Sequence, residues 1–252
     1  QFGVFGPVPL GVLIVGIGLA IVRRRLPAND LMLLCFTLPP LLIVIGQAFV
    51  SRANANWSGA GYLPAAVLVA AWLVRWRARW WLWAALAIQA AVAVVFLTFV
   101  IDPQTANKAG MANAFKRARG WAQTTDAVLS RAAREPGLSA IAVNNRFLFY
   151  ALSYYGRNDV RPPLTSWLLM DAPQNQAETT APLTRSLGSR VLVVSYEGWR
   201  RAEMEADFAR ASGLEIASVW LDPRHKRRVE MFVGEGFAPR PRDPATGLPT
   251  RP

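Results

Sequence analysis

Cysteine and histidine are nearly missing: the 252 residues hold one of each, Cys35 and His225. A lone Cys permits no intrachain disulfide, so any soluble part stands on packing alone. One His cannot build a His-based zinc site, and no Ser-His-Asp or Cys-His arrangement can be assembled from this inventory. Acid is nearly missing from the first hundred positions. Residues 1–101 carry seven Lys/Arg and a single acid, Asp30, whereas residues 102–252 carry 21 basic and 15 acidic residues. No Walker or dinucleotide-binding glycine pattern occurs, and Gly234-Glu235-Gly236 is too little for a phosphate loop. No internal repeat is visible. The net charge is +12, but it forms no concentrated basic stripe, so nucleic acid is not an expected partner.

What fills the first half is apolar sequence. Four uncharged runs cover 1–22, 31–50, 53–74 and 80–101. About 20 helical residues cross a hydrocarbon core of roughly 30 Å, so the sequence predicts four transmembrane helices, at about 4–22, 31–50, 58–74 and 80–101. The loops RRRLPAND (23–30) and RWRAR (75–79) each carry three Arg, which places them on the cytoplasmic side. The stretch SRANANWSGAGYLP (51–64) and everything after 101 then lie outside, because long domains translocate largely regardless of charge. Trp80, Trp81 and Trp83 fit an aromatic belt at the inner interface. The chain opens with Gln inside an apolar run, without a basic region ahead of it, so no signal peptide is read. A longer protein is the expectation.

The second half reads as a small soluble α/β domain over 102–236, with a partly parallel sheet. An amphipathic helix is expected between 110 and 135, a buried strand over 138–145, a helix over 146–156 and a strand near 164–169. A short helical segment near 178–187 precedes the clearest strand, SRVLVVSY (189–196). A helix is read over 197–213, and strands over 214–221 and 227–234 flank the turn DPRHK. The Pro- and Arg-rich stretch 237–252 is expected to be a disordered tail.

Chemistry concentrates in the outer loop: Arg52, Asn54, Asn56, Trp57 and Tyr62. Arg offers a planar fork suited to phosphate, the amides suit sugar hydroxyls, and the rings offer stacking faces. An ordinary interfacial loop accounts for the same residues, since Trp, Tyr and Arg favour the headgroup zone. QFGVFGPV (1–8) breaks an apolar run with Gly3, Gly6 and Pro7, and irregular backbone at membrane depth needs a cavity or protein cover; a Pro in the first helical turn explains it equally. Asp102 is the one acid at the end of the fourth helix, but Asp-Pro also starts turns. Asn144 and Asn145 end a strand, where ligands gather in open α/β sheets; Asn145 is read as a helix N-cap. His225 among Arg224, Lys226, Arg227 and Arg228 is read as a solvated turn.

With QFGVFGPV, RRRLP, SRANANWSGAGYLPA and a basic cytoplasmic turn in view, the chain resembles the C-terminal portion of bacterial family 39 membrane glycosyltransferases. These are related to protein mannosyltransferases and lipid A aminoarabinose transferases. In many of them the outer loop reads like E-A-N-W-P-A-P-A-Y. Here Ala55-Asn56-Trp57, then Tyr62, Pro64 and Ala65, hold the corresponding places, while Ser58, Gly59 and Gly61 depart from that form. The outer domain resembles them more loosely, through Gly120-Trp121, the strand and helix at 138–156, and the strand at 191–195. The resemblance implies a GT-C fold, of which the four helices form part, and an enzyme of the plasma membrane. It implies transfer of a sugar from a polyprenyl-phosphate donor to a lipid, glycan or protein acceptor on the extracytoplasmic face. Arg52, Asn56, Trp57 and Tyr62 become expected donor or carrier contacts, and Gln1 and Phe2 expected neighbours of the same cavity. The catalytic carboxylates of such enzymes lie in a first outer loop with no counterpart here, so this chain is expected to lack the base. No cofactor is implied, and a divalent metal stays open. The alternative is a non-catalytic membrane protein whose α/β domain serves binding or assembly. A transporter is disfavoured, because none of the four runs holds an ionisable residue.

Overall fold

The structure is a computed structural model that describes residues 2–24, 26–51, 54–159, 162–243 and 246–250. It divides into two compact units, Gln1–Asp102 and Pro103–Pro252.

The first unit is helical: α1 (Phe2–Phe5), α2 (Pro7–Arg23), α3 (Ala28–Val50), α4 (Gly59–Arg75) and α5 (Arg79–Ile101). Helix α4 is the centre. Gly61, Ala65, Leu68, Val69, Trp72 and Leu73 are its buried residues, spaced three and four apart so that they form one face. That face packs with Leu34 and Leu41 of α3 and Leu13 of α2. Small residues permit the close approach: at Gly16 a Cβ would overlap the Trp72 ring. Helices α3 and α5 have 23 residues each and mean hydropathies of 2.1 and 2.5, long and apolar enough to cross a membrane. On α5 only Ala85 is buried, so its apolar surface is not the inside of a protein core. Helices α2 and α4 are apolar but have 17 residues each, about 26 Å of helix.

The second unit is built on a mixed five-stranded sheet of order β2-β1-β3-β5-β4. Its strands are β1 (Ala140–Val143), β2 (Leu164–Ser166), β3 (Arg190–Tyr196), β4 (Phe208–Trp220) and β5 (Lys226–Phe237). The first three run parallel, with Val143 opposite Ser166 on one side and Val194 on the other; β5 runs antiparallel to both of its neighbours, β3 and β4. Continuous Val/Ile/Ala runs suit β1 and β3 because both faces are covered. Ile141, Val143, Leu192 and Val194 face one core with α8 (Trp121–Ala133) and α9 (Arg146–Tyr155). Ala140, Ala142, Val191 and Val193 face the other, with Trp167, Met204 and Phe232.

Four expectations change. The helix read over 110–135 is split into α7 (Ala112–Phe115) and α8, the last beginning after a turn at Gly120, and is preceded by a separate short helix, α6 (Pro103–Lys108). The short helical segment near 178–187 is α10 (Gln176–Thr180) followed by a single 3-10 turn. The helix read over 197–213 is only α11 (Arg201–Glu205), and Phe208 already belongs to β4. Phe208 fills the second core and pairs with Phe237 across the ladder, a tertiary gain that outweighs the helical charge pattern. Within the stretch after 237, read as a disordered tail, Arg240 and Arg242 are held by a buried carboxylate. Asp207 accepts from Arg240 Nε at 3.1 Å, Arg242 Nη2 at 3.2 Å and Trp167 Nε1 at 2.9 Å.

Candidate functional site

Of the loop residues singled out, Arg52 lies outside the described residues, as does Gln1; the side chains of Phe2 and Asn56 are likewise not described. Asn54 and Trp57 are exposed. The Trp57 amide donates to the Asn54 carbonyl at 3.1 Å, leading into a turn of 3-10 helix, Ala55–Ser58, that runs straight into α4. Tyr62, on the first turns of α4, points instead into the helix packing. Its ring stacks on Phe5, with centroids 5.0 Å apart and planes 7° apart. Its hydroxyl is buried and has no hydrogen-bond partner among the described residues. The two stretches read separately in the sequence thus meet through Phe5.

Beside that stack the chain breaks. Gly6, at φ 94°, separates α1 from α2, a left-handed backbone that favours glycine. The break frees the Phe5 carbonyl, and Gln89 Nε2, from the middle of α5, donates to it at 3.0 Å. A polar side chain halfway along an apolar helix is explained by this bond, since orphan backbone groups are costly away from water. Gln89 was legible only as the one amide in the run 80–101.

At the opposite end of α4 sits a second polar cluster that sequence reading left inside a loop. Asp30 is buried in the first turn of α3. It accepts from Arg75 Nη1 and Nη2 at 2.7 and 3.0 Å and from Trp72 Nε1 at 2.7 Å. A cavity of about 290 Å³ opens there, lined by Gly16, Arg23, Asp30, Trp72, Arg75 and Trp76. The signal was present, for Asp30 is the sole acid among residues 1–101. A separate apolar cavity of about 500 Å³, lined by Pro7, Val8, Val12, Leu73, Trp76 and Trp81, runs between α2, α4 and α5. Its lining suits hydrocarbon.

In the second unit the singled-out residues serve structure. Asn145 caps α9, its side chain accepting from the amides of Phe147 and Leu148 at 2.9 and 3.4 Å. Asn144 straps the ends of β1 and β3: it donates to Ser195 Oγ and the Trp199 carbonyl and accepts from the Tyr196 amide. His225 Nδ1 lies 2.8 Å from Asp222. Burial opposes ionisation of Asp222, but the amides of Arg224 and His225 and the His225 ring outweigh it and hold its carboxyl below the usual range. Asp102 ends α5 immediately before Pro103, which opens α6. Gly234 and Gly236 lie within β5. Arg227 is buried over the Trp121 ring, 3.5 Å from its centroid. Among the described residues no three metal-ligating side chains converge.

Compared with known proteins, the chain matches no family model, no curated protein and no solved structure.

Proposed function

We propose that this chain acts as the C-terminal part of an integral-membrane glycosyltransferase, taking a sugar from a polyprenyl-phosphate donor on the extracytoplasmic face. In this reading α2 to α5 all cross the bilayer of a bacterial plasma membrane, with residues 51–58 and the α/β unit outside. The observation that carries it is the Tyr62–Phe5 stack at the helix break. It joins the loop of the family-like pattern to an irregular helix start and leaves a buried phenolic hydroxyl, without a partner among the described residues, to meet a ligand atom. The apolar cavity between α2, α4 and α5 is of a size to hold part of an isoprenoid tail.

The step is a substitution at the anomeric carbon. A carboxylate base takes the acceptor's hydroxyl proton, the new C–O bond forms, and the bond to the phosphate oxygen breaks with its electron pair leaving on polyprenyl phosphate. Arg52 and the Asn54 and Asn56 amides stabilise the departing anion. Trp57 and Tyr62 orient sugar and carrier. None of these five residues is a carboxylate, so the base comes from elsewhere.

The test offers radiolabelled polyprenyl-phosphate sugars to membranes carrying the wild-type protein, Arg52→Ala or Tyr62→Phe. Loss of a charged contact to phosphate lowers transfer by at least about tenfold. Equal transfer by wild type and Arg52→Ala would reject the assignment. Donor binding without turnover by wild type would favour a non-catalytic binding module.

A further inference from the structure

The outward face of α9 is the wrong one for water. The segment RFLFYALSYYGR (146–157) has five aromatic rings, an Arg at each end and no acid. Leu148, Phe149, Ala151 and Leu152 fill the core. That leaves Phe147, Tyr150, Tyr154 and Tyr155 on the surface, with Phe147 58% and Tyr154 64% exposed. With Trp121 they line a shallow groove of about 220 Å³. The guanidinium groups of Arg146 and Arg157 sit over the Phe147 and Tyr154 rings, at 5.1 and 5.2 Å. A helix on an ordinary α/β surface carries charge of both signs there.

We propose that α9 docks the α/β unit onto a lipid bilayer, its rings entering the headgroup boundary and its two arginines meeting lipid phosphates. The composition is that of an interfacial aromatic belt with cationic flanks. Charge complementarity selects the partner, because two guanidinium groups without an acid between them match an anionic surface. A sugar needs directional partners for its hydroxyls. The groove offers only the tyrosine hydroxyls, since the Asn145 side chain is occupied as the helix cap. The surface is also close along the chain: α5, of spanning length and composition, ends at Ile101 and the unit begins at Pro103. Such a tether raises the effective concentration of bilayer. The inference needs a membrane location but not the transferase reading.

The test places a nitroxide at Tyr154→Cys or Ser212→Cys in the full chain with Cys35→Ser, in phosphatidylcholine nanodiscs with and without about one phosphatidylglycerol in three. Tyr154 is exposed, and Ser212 is exposed on β4, the far edge strand. At 154 collisions with lipid-soluble oxygen should exceed those with a water-soluble nickel chelate; at 212 the order should reverse. Arg146→Glu with Arg157→Glu should weaken docking on anionic discs by at least about thirtyfold, with Tyr150→Cys as a second reporting site. A label at 154 as wet as that at 212 in both lipids would overturn the proposal. So would protection that needs a second protein copy per disc, or one that appears only with added oligosaccharide.

Discussion

Replacing Asp207 by Ala tests how the C-terminal stretch is held. Asp207 is fully buried and receives Trp167 Nε1, Arg240 Nε, the Arg240 amide and Arg242 Nη2 between 2.9 and 3.2 Å. The Arg240 and Arg242 side chains are 16% and 4% exposed, so solvent screens them little. Removing one partner of a buried ion pair costs about 3–5 kcal/mol, and the orphaned Trp167 N–H adds about 1–3 kcal/mol. The arginines recover part of this by swinging into water, so the net loss is about 4 kcal/mol. For a unit of this size that lowers the melting temperature by about 10 °C. The assay is near-UV circular dichroism on the detergent-solubilised full chain, with trypsin cleavage after Arg242 followed in parallel. A midpoint within about 2 °C of wild type, with cleavage no faster, would refute the reasoning.

Three further outcomes are expected. In a Cys35→Ser background, Trp57→Cys should react with a membrane-impermeant maleimide added outside intact cells and Arg77→Cys should not; the reverse pattern overturns the proposed topology. Gln89→Leu removes the donor to the Phe5 carbonyl and should cost about 1 kcal/mol of helix-bundle stability, whereas Gly16→Leu drives a side chain into the Trp72 ring and should cost more; equal unfolding free energies for both variants and wild type would contradict the packing described. Hydrogen bonds from Arg131 and then Arg190 hold the Glu135 carboxyl below its ordinary value of 4.5. A depressed folded value gives stability that is complete above the unfolded value and lost as pH falls through the folded one, so Glu135→Gln should flatten the acid limb of a pH–melting curve; parallel limbs would exclude the linkage.

The parts of the fold that were legible are those with one dominant signal. The uncharged runs located the helices of the first unit within a few residues, and the Val191–Val194 run located β3. The first turn of β4 was not legible. Phe208–Gly213 shows mixed polar and apolar residues that fit a helix face or an edge strand, and the choice was made by Phe237 and by the partners of the adjacent Asp207, Trp167 and Arg240, all distant in sequence. The site divides in the same way. Trp57 and Tyr62 announce themselves by type, but the Phe5–Tyr62 stack and the Gln89 bond span 57 and 84 positions, and nothing local encodes such pairs. Asp30 was visible as an isolated acid yet was assigned to a loop, because its partner Arg75 lies 45 residues on.

That separation fixes an order of events during synthesis. When α3 leaves the ribosome, Asp30 lacks the two partners that hold it in the folded unit, and it gains them once the whole of α4 has been made. Only when Arg75 emerges, together with the Trp72 indole, can the two helices close with the acid paired. Translation stalled anywhere between the two would leave that acid without its native partners in the first turn of an apolar helix.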